Sequence, residues 1–108
     1  MAAGIPEGLA IERVWVAETT YSPDVEERRP PVRPEHLARI AELRDAGVII
    51  DAGAFADMSG SLIILRAASE EEALALIHSD VYFRAGVWNS CRIRALGRVV
   101  RTGELIED

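Results

Sequence analysis

Apolar and polar residues alternate in LAIERVWVAETTY (9–21), where Val14 and Val16 interleave with Arg13 and Trp15. That period of two predicts a β-strand. The spacing then changes. In RPEHLARIAELRDAG (33–47), Leu37, Ile40, Ala41 and Leu43 make a stripe with helical spacing. Pro34 suits the first turn of that helix, because its missing N–H would have no partner there anyway. Gly47 suits its end. Between the two elements, SPDVEERRPPVRP (22–34) carries four prolines and three arginines and reads as a loop, long for so short a chain.

VIIDAGAFAD (48–57) reads as a second strand running into a turn, and SGSLIILRA (59–67) as a third. The two should form a hairpin closed near Asp57–Gly60. Ser69 and Glu72 form a capping box ahead of Ala73, Leu74, Leu76 and Ile77, so a second helix starts there and loses its pattern near Asp80. VYFRAG (81–86) is a short turn or helical piece. VWNSCRIRALGRVV (87–100) holds a fourth strand, with Arg92 and Arg94 on one face and Cys91, Ile93 and Ala95 on the other.

The order β-α-β-β-α-β predicts an α+β, ferredoxin-like domain over 9–100 with an antiparallel sheet, flanked by flexible tails at 1–8 and 101–108. Leu62, Ile63, Ile64 and Leu65 are apolar at consecutive positions, which a strand buried on both faces requires. Two helices cover one face of such a sheet. A second copy of the chain should cover the other, giving a homodimer with a two-fold axis. The sequence does not decide which of the two pairs, Leu62 and Ile64 or Ile63 and Leu65, faces the partner.

Composition removes several chemistries. The 108 residues suit one domain. The net charge of −6 argues against a nucleic-acid or anionic-membrane surface, which needs a basic face. All 12 basic residues are arginine, so lysine Schiff bases, PLP attachment and a P-loop are absent. One cysteine, Cys91, cannot form an intrachain disulfide or a cysteine-built metal centre. MAAGIPEGLA lacks the features of a signal peptide, and no apolar run is long enough to span a membrane. A cytoplasmic protein without cofactor or metal is the expectation.

Topology points to one edge of the fold. The start of the first helix, the 53–60 hairpin and the end of the second helix should gather at the same end of the sheet. His36 and Asp80 should therefore lie on that edge, together with Tyr82 and the arginine-bearing segment. His36 shares a helix face with Ile40 and Leu43, which turns it toward the sheet. The positive end of the helix dipole favours its neutral ring, the form a general base needs. An aspartate at one ring nitrogen would fix the tautomer and stabilise the cation formed on proton abstraction.

Three pieces, RPEHLARIAELRDAGVIIDAG, SGSLIILRAASEEEALAL and SDVYFRAGVW, resemble the YciI-like (YCII-related) family across roughly residues 11–100. The resemblance implies a dimeric α+β barrel of ferredoxin-like protomers and an active site built on a His–Asp pair, matching His36 and Asp80. The family includes a dehydrochlorinase acting on chlorinated hydroxyhydroquinones. Two features depart from the family pattern. Val81 follows Asp80 where the family usually has proline, which should free the aspartate backbone, and the 22–33 segment is long and arginine-rich.

The functional expectation is a small cofactor-independent enzyme. It would use His36 and Asp80 for proton abstraction, elimination or isomerisation on a small, cyclic or aromatic-derived metabolite. Arg33 (with Arg28 and Arg29 beside it), Ser59, Ser61 and Tyr82 are the substrate-binding candidates: the arginines for an anionic group, the serines and the tyrosine as hydrogen-bond partners. His78 should lie on the polar side of the second helix, and the histidine spacing supports no metal site. The competing readings are a non-catalytic dimeric module that binds a small ligand or a protein, and a haem-dependent monooxygenase with a histidine ligand.

Overall fold

A computed structural model describes residues 4–105. The elements run β1 (Leu9–Tyr21), α1 (Val25–Asp45), β2 (Ile49–Ala54), β3 (Gly60–Leu65), α2 (Glu70–His78), α3 (Val81–Arg84) and β4 (Trp88–Arg101), then a 3-10 turn at Thr102–Glu104. The strands form one antiparallel sheet in the order β2-β3-β1-β4. This is the ferredoxin-like α+β arrangement, with β1 and β3 central. Residues 1–3 and 106–108 of the flanking segments lie outside the described residues. In the described parts of those segments, Thr102 N–H donates to the Gly8 carbonyl at 3.0 Å, so the two ends of the β1–β4 pair are joined.

Register divides the sheet into two faces. Ala17 lies opposite Ile63 and Ile93, and Thr19 opposite Ser61 and Cys91. This face packs on the helices through Ala17, Ile63, Leu65, Ala73, Ile77 and Trp88, all at most 3% exposed. The other face carries Val16, Glu18, Leu62 and Ile64. The choice within β3 is thereby settled: Ile63 and Leu65 point at the helices, Leu62 and Ile64 at the bare face. There they are half-buried.

The largest correction concerns residues 22–34. They are not a loop. The helix starts at Val25, well before Pro34, and Pro30, Pro31 and Pro34 lie inside it. Each proline removes the N–H that would reach the carbonyl four residues back, here those of Glu26, Glu27 and Pro30. All three residues are exposed, so water satisfies their carbonyls. Proline's fixed φ is itself helical. The first turn is further held by Glu27 and Arg28 N–H on the Asp24 carbonyl and by the Arg28–Asp24 ion pair at 2.6 Å. His36 therefore sits roughly three turns into α1, not in its first turn. The dipole effect fades within the first turn, so that argument for a neutral ring does not apply. Leu37, expected to face the sheet, is 51% exposed, because the inward stripe runs through His36, Ile40 and Leu43.

Two glycines end helices and redirect the chain. After α1, Gly47 N–H bonds to the Arg44 carbonyl and Val48 N–H to that of Leu43. After α3, Gly86 N–H bonds to Phe83 and Val87 N–H to Tyr82. Both glycines have positive φ, 78° and 74°, as this termination requires. The second one swings the chain straight into Trp88.

Gly60 opens β3 where backbones crowd: a Cβ there would lie 1.8 Å from the Thr19 carbonyl oxygen. We expect Gly60→Ala to force β1 and β3 apart and to lower stability by about 1–3 kcal/mol. Urea denaturation checks this; an unchanged midpoint would show that the strands can part freely.

Candidate active site

Asp80 ends α2 and caps α3. Its backbone is extended there, and its carboxylate accepts the Tyr82 N–H at 2.8 Å on Oδ1. An N-cap aspartate is a local device, but this one is 1% exposed and has further partners. His36 Nδ1 lies 2.8 Å from the same Oδ1. Arg39 Nη1 donates to Oδ2 at 3.0 Å, and Arg39 Nη2 donates to the Leu76 carbonyl and the Ser79 hydroxyl. Arg39 thus staples α1 to the end of α2. Asp80, which Val81 was expected to leave freer, is fixed by these bonds.

Burial alone would raise the Asp80 carboxyl. The His36 hydrogen bond, the Tyr82 amide and the charges of His36 and Arg39 outweigh it and hold the pKa below the usual aspartate value. Asp80 is ionised at neutral pH and stands as a buried acceptor directly behind the imidazole.

Aromatic residues clamp the ring itself. The Tyr82 ring stacks on His36 with centroids 3.6 Å apart and planes 8° from parallel. Trp88 meets both rings edge-on, at 5.3 Å and 5.5 Å. With Nδ1 on Asp80, the imidazole has Nε2 left to offer. His36 lines a cavity of about 160 Å³, and Nε2 has no hydrogen-bond partner among the described residues.

That cavity lies between α1 and the β1–β3 region. Arg29, Arg33, His36, Leu37 and Ile40 supply one wall from successive turns of α1. Tyr21, Ser61, Ile63, Tyr82 and Trp88 supply the floor and far side. Ser61 Oγ and Thr19 Oγ1 share a hydrogen bond of 2.5 Å. Burial pushes the Tyr82 hydroxyl up to about 12, so it stays protonated and able to donate.

Of the residues singled out from the sequence, His36, Arg33, Ser61 and Tyr82 line the cavity, as does Arg29, and Asp80 stands directly behind His36. Ser59 does not line it. It sits in the β2–β3 turn, its N–H on the Asp57 carboxylate at 3.0 Å. Arg28 turns away to Asp24, and His78 is exposed, with its ring against Phe83. Burial raises the Cys91 thiol to about 11, which removes it as a nucleophile at neutral pH. Arg39, Tyr21 and Trp88 were not singled out. The spacing of Arg39, three residues after His36 on the same helix face, is the signal that would have found it. Among the described residues, no group of three or more His, Cys, Asp or Glu is placed to hold a metal ion, and no helix is long and apolar enough to cross a membrane.

Comparison with known proteins gives a consistent picture. A family model described as the YCII-related domain matches residues 14–96. Protein YciI of Escherichia coli O6:H1 (strain CFT073) is 34% identical over 83 residues, covering 68% of this chain and 85% of that protein. Protein YciI of Shigella flexneri matches to the same extent. Among solved structures, a 5-chloro-2-hydroxyhydroquinone dehydrochlorinase from Burkholderia phenoliruptrix AC1100, in complex with 2,5-dihydroxybenzoquinone, superposes with a TM-score of 0.65. It covers 75% of this chain and 90% of its own at 21% identity, which is a likeness of fold. With the family model spanning the sheet and both sides of the His36–Asp80 pair, the chain belongs to the YCII-related family.

Proposed function

We propose that this protein is a small cofactor-independent acid/base enzyme in which His36 is the general base. The observation that carries the reading is the 2.8 Å contact between His36 Nδ1 and a buried, ionised Asp80, which leaves Nε2 to the cavity. In the neutral ring, Asp80 holds the proton on Nδ1, so the Nε2 lone pair faces the substrate. Nε2 takes a proton, the freed electron pair forms the new double bond, and a leaving group departs with its bonding pair. Asp80 stabilises the imidazolium produced. Where no leaving group is present, return of the proton to another carbon gives isomerisation. Arg39 is a positioning residue: it holds Asp80 and touches no substrate.

The dehydrochlorinase with a similar fold acts, by its name, through loss of hydrogen chloride, the elimination this arrangement would carry out. A small ring compound is the class we favour, with Arg33, Ser61 and Tyr82 contacting it. The experiment offers 5-chloro-2-hydroxyhydroquinone and a set of small enolisable ring compounds, monitoring chloride release and deuterium uptake from D₂O. Turnover that needs His36 supports the reading. Turnover retained at full rate in His36→Ala contradicts it, and binding without turnover would point to the non-catalytic module.

We place the working protein in the cytoplasm, where its single half-buried thiol stays reduced, and as a homodimer formed through the bare sheet face. Val16, Leu62 and Ile64 supply apolar surface there, bordered by the Glu18–Arg94 ion pair. Ile64→Asp would put a charge in the middle of that contact, and we expect it to shift the protein to monomer or to unfold it. Light scattering at micromolar concentration decides: a compact, stable wild-type monomer would remove the dimer.

A further inference from the structure

In a chain with net charge −6, the cavity is lined by cationic side chains alone among its charged groups other than His36. They are Arg29 and Arg33, one helical turn apart on α1. Seven other arginines sit within 4.0 Å of a carboxylate. These two do not, among the described residues. Arg29 reaches only the Met58 sulfur at 3.8 Å and lies 6.0 Å from the Tyr21 ring centroid.

We infer that the site takes a small organic carboxylate, one ring in size, with its anionic group between Arg29 and Arg33. This deepens the acid/base reading and rests on it for the use of the same cavity. The size argument is direct: a cavity near 150 Å³ accommodates benzene, and this one is about 160 Å³. The charge argument is chemical. Two guanidinium forks and a protonated phenol are all donors, so the complementary ligand presents acceptors. A carboxylate matches the guanidinium fork in a bidentate manner. Arg33 is exposed and Arg29 half-buried, so the anion sits at the mouth and the ring goes inward toward His36.

The probes are benzoate and its neutral isostere benzamide, titrated by NMR into the intact protein in low-chloride buffer. We expect benzoate to bind at least about tenfold more tightly, as charge-assisted hydrogen bonds provide, with the preference shrinking as salt is added. Arg29→Gln with Arg33→Gln should erase the preference, and Arg29→Lys with Arg33→Lys should restore part of it. His36→Gln should leave it in place, which separates this inference from the catalytic one. No preference, a preference that survives the double glutamine variant, or no binding of either probe at tens of millimolar would overturn the inference. A preference confirmed in a protein that catalyses no proton transfer would leave it standing while the proposed reaction fails.

Discussion

Replacing His36 by alanine is expected to lower turnover by about a hundredfold to ten-thousandfold, the usual weight of a positioned general base. Asp80→Asn should cost a comparable factor by a different route. An asparagine can donate to Nδ1 and favour the wrong tautomer, turning a lone pair at Nε2 into a proton. Because the two residues act as one unit, the double variant should be little slower than either single one. A multiplicative loss would mean that Asp80 acts on something other than the ring. Steady-state kinetics on whichever ring compound shows turnover makes the comparison. Arg39→Gln should have a smaller effect, since His36 and the Tyr82 amide still hold the carboxylate.

The second large effect is on stability. Asp80→Ala removes the common acceptor of His36, Arg39 and the Tyr82 amide from a site that is 1% exposed. Breaking a buried pair on one side costs about 3–5 kcal/mol. Arg39 is 26% exposed and can regain water, so the lower end, about 3 kcal/mol, is the expectation. For a domain of this size that is a melting temperature about 10–20 °C lower. The exposed Arg44–Asp51 pair is the control; its side chains are 60% and 70% exposed, and losing it should cost under about 1 kcal/mol. The lowered Asp80 pKa also dictates a pH dependence. The folded state binds this proton less readily than the unfolded chain does. Asp80 therefore contributes in full above the unfolded value of 3.8, and the contribution is lost as pH falls below it toward the folded value. Denaturation of wild type and Asp80→Ala across this range should converge on acidification. Curves that stay parallel would show that the carboxylate is not what holds this corner.

The contact between His36 and Asp80 was legible only in outline. Chain order brings the start of the first helix and the end of the second to one edge, and Asp80 sits where the second helical pattern fails, but His36 stands about three turns into α1 and not at its start. The strand boundaries 9–21 and the capping box at Ser69 obey short-range rules that tertiary structure did not override. The start of α1 does not. Four prolines in 13 residues look like a breaker, yet three of them cost only hydrogen bonds whose carbonyls are exposed to water. That error hid the placement of Arg29 and Arg33 on the same helical stripe as His36. Arg39 was missed for another reason. Charged residues on a helix are usually solvated, and nothing local shows that its reach ends on Leu76, Ser79 and Asp80. Trp88 depends on the turn made by Gly86, which only the folded backbone shows.

The most direct test needs no substrate. Nitrogen-15 NMR of the two histidines distinguishes a ring nitrogen that carries a proton from one that does not. At a pH where the His36 ring is neutral, a proton on Nδ1, shared with Asp80, and a bare Nε2 are the result this account predicts, with the tautomer shifting in Asp80→Asn. A neutral His36 with its proton on Nε2 would leave no lone pair facing the cavity and would contradict the assignment of His36 as the base.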